Sequence, residues 1–195
     1  MRPRPFPPES CLSAFALPRL SDDLLARASG VRLAAFDVDG TLTDGQLRYD
    51  SQGNETKVFH VHDGLGLKLL LEAGIPVALV SARRSAIVTA RAAELGIREV
   101  HQGVADKAAC LRALCADAGI EPAQSAFMGD DLPDLGALSL CGLPAGPANA
   151  HPLLHPYLVW HSELAGGQGA ARGLCDLILL AQNRIERVVA RFAPA

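Results

Sequence analysis

The 195-residue sequence predicts an α/β fold, a doubly wound and mostly parallel sheet sandwiched by helices. Two observations carry this reading. Short apolar runs alternate with longer helical stretches, and a glycine closes most of the helices. Alanine and leucine dominate the apolar residues and aromatics make up only 5%, which favours helices on a lean aliphatic sheet over an all-β protein. Right-handed crossovers between such strands place helices on both faces.

The elements follow in order. Residues 1–20 hold five prolines and read as a flexible arm rather than a secretory signal. Ser21 caps a short helix from Asp22 to Ala28. Leu33–Phe36 is a compact apolar run, a buried strand. The stretch from Gln46 to Val61 reads as a hairpin with Ser51-Gln52-Gly53-Asn54 at its turn. His60 and His62 fall on one face of its second strand, without an evident third metal ligand. A helix from Gly64 to Ala73 ends at Gly74, and Val77–Val80 is a second buried strand. Ser85–Leu95, Asp106–Ala118 and Leu132–Leu140 read as helices, Glu99–His101 and Ser125–Met128 as strands. Two weak strands are expected near Leu143 and at Tyr157–Trp160. Gly166-Gly167-Gln168-Gly169 reads as a helix-entry turn, since it lacks the lysine of a P-loop. The last helix is expected from Gly169 towards Val189. Residues 21–182 form one domain on this reading, with residues 183–195 a helical extension.

Composition narrows the function. The chain is 49% hydrophobic and 20% charged, enough for a real core. A net charge of −3 argues against general attraction to nucleic acid or anionic lipid. No apolar run is long enough to span a bilayer. Five cysteines with no Cys-x-x-Cys spacing read as reduced thiols in a reducing compartment.

The unusual residues fall at strand ends, where ligands of such sheets bind. Asp37 and Asp39 follow the first strand and Ser81 the second. Lys107 opens the helix after the third, and Gly129-Asp130-Asp131 with Asp134 follows the fourth. Up to five carboxylates thus share one crevice and repel each other unless a cation is present. A site of few oxygen ligands suits Mg²⁺, which keeps waters and takes a substrate phosphate oxygen.

Asp37-Val38-Asp39-Gly40-Thr41 resembles the nucleophile motif of the haloacid dehalogenase superfamily, with Ser81, Lys107 and Gly129-Asp130-Asp131 matching its other motifs in order. The stretches DVDGTLTDG, FHVHDGLGLKLL, QGVADK, MGDDLPDL and AGGQGAARGLCDLILLAQ resemble its capless tetrameric subfamily, over about Arg32 to Gln182. The resemblance implies a Rossmann-like core with a β-hairpin flap in place of a cap domain. Roughly twenty-five residues separate Asp39 from the next core helix, too few for more than a hairpin. It implies a cytoplasmic Mg²⁺-dependent phosphatase and a homotetramer in which hairpins close neighbouring sites. The implied substrate is a small sugar-acid phosphate, 3-deoxy-D-manno-octulosonate 8-phosphate, in lipopolysaccharide precursor synthesis.

The resemblance also implies roles. Asp37 is the nucleophile and Asp39 the general acid–base. Asp37, the Asp39 carbonyl and Asp130 hold the metal. Ser81, Lys107 and backbone N–H groups near Gly40 bind phosphate, and Asp131 and Asp134 support metal waters and Lys107. Either Arg83 or Arg84 binds the substrate carboxylate. His62 stands where the family often has arginine, and Gly173 where it often has an acid. The His62 departure motivates a second substrate, a nine-carbon keto-sugar acid phosphate. A reading from another class is a non-catalytic oligomeric scaffold, against which the complete acidic set argues.

Overall fold

A computed structural model describes residues 20–192. The proline-rich arm, with Cys11, and the last three residues lie outside the described residues.

Six strands form one parallel sheet: β1 (Leu33–Phe36), β4 (Val77–Ser81), β5 (Glu99–Gln102), β6 (Ser125–Met128), β7 (Leu143–Gly146) and β8 (Trp160–His161). Their order is β5-β4-β1-β6-β7-β8. The chain therefore runs outward from β1 in one direction and then returns to build the other side. That reversal opens a crevice beyond the carboxyl end of β1. Two further strands, β2 (Arg48–Tyr49) and β3 (Glu55–Thr56), pair antiparallel in a separate hairpin. Asp50 closes its turn by accepting from the N–H groups of Gln52 and Asn54, both at 2.8 Å.

Strand side chains alternate between faces. Ala34 and Phe36 point into one apolar layer with α1 (Asp22–Ser29), α2 (Val61–Glu72), α3 (Ala86–Leu95) and α6 (Ala170–Ala181). Leu33 and Ala35 point into the other, with α4 (Lys107–Asp117) and α5 (Leu135–Leu138). Each fully buried Leu or Phe in these layers contributes about 1.5–3 kcal/mol of transfer free energy.

The α2–α6 contact explains two residues that look out of place. Gly66 lies mid-helix because a Cβ there would come within 3.0–3.2 Å of Arg172 and Cys175. Asp63 is buried because its carboxylate caps the neighbouring helix, accepting from the N–H groups of Gly169 (3.2 Å) and Arg172 (2.8 Å).

Four expectations are corrected. The paired hairpin strands stop at Thr56, and α2 starts at Val61, so His62 lies in a helical first turn and not on a strand. His60 caps that turn through Nδ1 (3.3 Å from the His62 N–H). The segment after Asp131 opens as a 3₁₀ turn over Leu132–Asp134, fixed by Pro133 and the Asp131 cap, before the short α5. Pro152–Tyr157 is likewise a 3₁₀ turn, and the strand there is only Trp160–His161. The last helix is broken: Asn183 takes φ 55°, and the Arg184 N–H bonds back to the Leu179 carbonyl (2.8 Å). α7 (Ile185–Ala190) follows, with Ile185 and Val188 on the core.

Candidate active site

Two strand ends, those of β1 and β6, deliver the carboxylates to one place. β1 ends at Phe36, and the Asp37 N–H bonds the Met128 carbonyl of β6 (2.9 Å), so the loops after β1 and β6 leave the sheet together. Oxygens of Asp37, Asp130 and Asp134 then lie within 4.8 Å of one another. Lys107, from the first turn of α4, reaches into this cluster and bridges Asp37 Oδ1 (2.5 Å) and Asp134 Oδ1 (2.6 Å). Its side chain is only 4% exposed. Asp134 Oδ2 accepts from the N–H groups of Asp130 (2.9 Å) and Asp131 (3.1 Å), which holds the β6 loop in shape. Thr41 donates to Asp130 Oδ1 (3.1 Å) and ties the two loops.

Close approach is built from glycines. Gly40 takes φ 92°, and a Cβ there would overlap the Asp130 carboxylate. A Cβ on Gly129 would overlap the Asp134 carboxylate.

The other predicted residues fall as follows. Ser81 is the buried last residue of β4, its hydroxyl accepting from the Arg83 N–H (3.1 Å). Gly40 directs its N–H to Thr43 Oγ1 (3.3 Å), leaving the N–H groups of Asp39 and Thr41 without a protein partner among the described residues. Asp131 is exposed and caps the 3₁₀ turn through the Leu132 N–H (2.8 Å); it does not hold Lys107. Arg84 is exposed, its guanidinium over Gly103. The His62 ring stacks edge-on against His60 (4.9 Å) and makes no ion pair with a carboxylate among the described residues.

Lys57 went unnoticed in the sequence. Its ammonium contacts Asp39 Oδ1 and stands 3.3 Å from Glu55 Oε1, with the side chain 3% exposed. Arg83 joins the same group, reaching Glu55 (2.8 Å) and the Tyr49 hydroxyl (3.1 Å), with Nε 3.8 Å from Asp39 Oδ2. Asp39 Oδ2 is buried and has no hydrogen-bond partner among the described residues. The hairpin root therefore rests on the site of its own chain.

Burial, then Asp134, push the Asp37 carboxyl upward against the pull of Lys107. Burial and then Asp134 push Asp130 up to about 6. Burial opposes the charge on Lys107, but Asp37 and Asp134 beside it hold its affinity for the proton above the ordinary lysine range. Hard oxygen donors under mutual repulsion are what a divalent cation relieves, so the residues fit such an ion, held by Asp37 and Asp130.

No family model matches the chain. Among solved structures it is similar to a hypothetical protein from Xanthomonas campestris, with TM-score 0.88 and 52% identity over 90% of this chain and 96% of that one. It is also similar to the 3-deoxy-D-manno-octulosonate 8-phosphate phosphatase of Moraxella catarrhalis in complex with magnesium, phosphate and KDO. There the TM-score is 0.84 and the identity 43%, over 86% of this chain and 97% of that one. Sheet order, strand-end carboxylates and these likenesses make the chain a member of the haloacid dehalogenase superfamily. The curated phosphatase KdsC of Yersinia pestis is 41% identical over 167 residues, 86% of this chain and 89% of the relative. The Escherichia coli K12 enzyme is 40% identical over the same shares. The chain belongs to the KdsC family of 3-deoxy-D-manno-octulosonate 8-phosphate phosphatases.

A pH dependence follows. Cation binding needs the ionised carboxylates, and without a cation Asp130 holds its proton up to about pH 6, with Asp37 raised as well. Binding therefore releases protons, and affinity strengthens as pH rises from about 5 to 8. Calorimetric titration of Mg²⁺ in buffers of different ionisation enthalpy measures the release; an affinity flat across that range contradicts the assignment.

Proposed function

We propose that this chain is a Mg²⁺-dependent phosphomonoesterase that hydrolyses 3-deoxy-D-manno-octulosonate 8-phosphate to the free sugar acid and phosphate, in lipopolysaccharide precursor synthesis. The observation that carries the reading is the buried Lys107 bridge between Asp37 and Asp134, with Asp130 alongside, at the crevice beyond β1.

Asp37 attacks phosphorus in line, and the sugar oxygen leaves with its bonding pair, giving an aspartyl phosphate. Asp39 protonates that oxygen, then takes a proton from the water that hydrolyses the intermediate and regenerates Asp37. Asp37, the Asp39 carbonyl and Asp130 would hold Mg²⁺, which would supply neutralising charge for the phosphoryl oxygens. Lys107 has three donors and spends two on Asp37 and Asp134, which leaves one for a phosphate oxygen. Ser81 and the N–H groups around Gly40 take the others. Arg83, Arg84 and His62 select the sugar acid, Asp131 supports the metal waters, and Asp134 holds Lys107.

Lys57 aligns Asp39. With Oδ1 on Lys57, Oδ2 is the oxygen left for the leaving group. The phosphatase unit is placed at residues 21–182, with residues 183–195 an extension. A cytoplasmic setting suits the four free cysteines of the described residues, three of them buried; no described helix is long and apolar enough to cross a membrane. Leu47, Tyr49, Val58, Val61 and Leu65, all exposed on the hairpin and the start of α2, support assembly into a homotetramer.

Phosphate release from 3-deoxy-D-manno-octulosonate 8-phosphate is expected with Mg²⁺, and to vanish with chelator or in Asp37→Asn. A preference for a nine-carbon keto-sugar acid phosphate in the same assay would overturn the substrate, and no turnover of any phosphoester would overturn the class. For Lys57→Met, sugar-phosphate turnover is expected to fall about 10–100-fold, within the range general acid help supplies. p-Nitrophenyl phosphate, whose leaving group needs no proton, is expected to lose less than about threefold. Equal losses on both would remove Lys57 from this role. Light scattering is expected to give four times the 20.5 kDa chain mass; a monomer mass would exclude the tetramer.

A further inference from the structure

The Gly166–Gly169 turn has a place in the structure that its sequence did not suggest. It packs directly behind the nucleophile loop. A Cβ on Gly166 would overlap the Gly40 carbonyl, and one on Gly167 would lie 2.7–2.9 Å from backbone atoms of Thr43 and Asp44. The Gly167 N–H bonds the Thr41 carbonyl (3.1 Å).

Asn149, in the loop after β7, spans the two segments. Its Nδ2 donates to the Gly40 carbonyl (2.9 Å), and its Oδ1 accepts from the Gly166 N–H (2.6 Å). The same loop grips the other acidic segment: the His151 N–H bonds the Asp130 carbonyl (2.7 Å), and the Gly129 N–H bonds the Ala145 carbonyl (3.2 Å). The Ala148 N–H bonds the Leu164 carbonyl (2.9 Å), which closes the circuit back to the glycine turn.

We infer that Asn149, with the Gly166–Gly167 turn, is a positioning element that sets the spacing between the Asp37–Gly40 loop and Asp130, and through it the affinity of the site for its cation. The spacing matters because the two ligands sit on different loops, and Mg²⁺ demands near-ideal octahedral geometry at about 2.0–2.1 Å. Asn149 touches neither carboxylate. It acts through the Gly40 peptide, whose Cα lies against the Asp130 side chain, so a shift of Gly40 is a shift of the gap the cation spans. The Asp39 carbonyl belongs to the neighbouring peptide, on the other side of the Gly40 Cα. Groups that orient metal ligands from behind are worth about 10–100-fold in metal affinity or activity.

This inference rests on the metal-dependent phosphatase reading, and the test separates the two. Mg²⁺ binding is measured by calorimetry without substrate, for wild type and Asn149→Ala, alongside thermal melting of the metal-free proteins and steady-state kinetics. The expected result is a Mg²⁺ affinity about tenfold weaker in Asn149→Ala, with kcat falling at subsaturating Mg²⁺ and largely restored at saturation. Metal-free melting is expected to change little, since the residue is exposed. A folded Asn149→Ala with wild-type Mg²⁺ affinity overturns the positioning role. So does a lowered melting temperature with unchanged metal affinity, because that is a purely structural brace. A wild type that binds no Mg²⁺ overturns the metal-dependent reading itself. Gly166→Ala is the second variant: pushing on the Gly40 carbonyl, it is expected to weaken Mg²⁺ binding at least as much. A folded Gly166→Ala with wild-type affinity counts against the inference even if Asn149→Ala is unstable.

Discussion

The mutual repulsion of carboxylates in a partly dry crevice is the constraint on which the rest of this structure depends. Two like charges 4 Å apart cost about 4 kcal/mol at an effective dielectric constant of 20. Here three carboxylates offer oxygens within 4.8 Å of one another, and two of them are buried. Lys107 offsets part of the cost from inside the cluster, and its own burial is tolerable only because Asp37 and Asp134 both accept from it. Asp134 is further committed to the N–H groups of Asp130 and Asp131. Asp37 and Asp130 keep a raised proton affinity, set by burial and by the neighbouring Asp134. Catalytic competence and electrostatic strain are thus one feature seen twice.

The fold supplies the rigid frame this strain requires. β1 lies between β4 and β6, buried at all four positions, and the acidic loops leave from adjacent strand ends. Glycines then take up distances that side chains would forbid: Gly40 against Asp130, Gly129 against Asp134, Gly166 against the Gly40 carbonyl. At each of these positions an added Cβ moves a charged group or its supporting backbone. The site is compact because backbone, not side chain, fills the space between its charges.

What was legible in the sequence and what was not divide along a physical line. Asp37, Ser81, Lys107 and Asp130 were readable because each sits just beyond a short apolar strand or at the helix start that follows one, and the topology rule gathers such positions. Lys57 was not readable. It lies in an irregular stretch after β3, and only folding brings it to Asp39, 18 residues earlier. Asp63 and Asn149 were hidden for the same reason, since Asp63 bonds Arg172 and Asn149 bonds Gly40, each more than 100 positions away in sequence. The misread start of α2 is different in kind. Val58 and Phe59 favour an extended chain, but the caps formed by His60 and the close packing of Gly66 on α6 decide the matter from Val61 onward. Likewise the apolar spacing of the final segment was helical on both sides of Asn183, and only that residue's left-handed backbone records the break.

The hairpin shows how a fold without a cap domain shields its chemistry. Covering a reacting group normally takes an inserted domain, which keeps bulk water away from the reacting charges. Here Lys57 reaches Asp39 from just beyond the strand that returns from the turn, and Glu55 and Tyr49 hold Arg83 over the same carboxylate. The outcome is an Asp39 with one oxygen fixed and the other buried without a hydrogen-bond partner among the described residues. On the proposed mechanism Asp39 is the general acid, so whatever displaces the hairpin disturbs its alignment by Lys57 and Arg83. Substrate selection and proton delivery then share the same few side chains. A substrate that fails to seat against the hairpin loses turnover as well as binding, which is how a small flap converts recognition of a distant part of the substrate into rate.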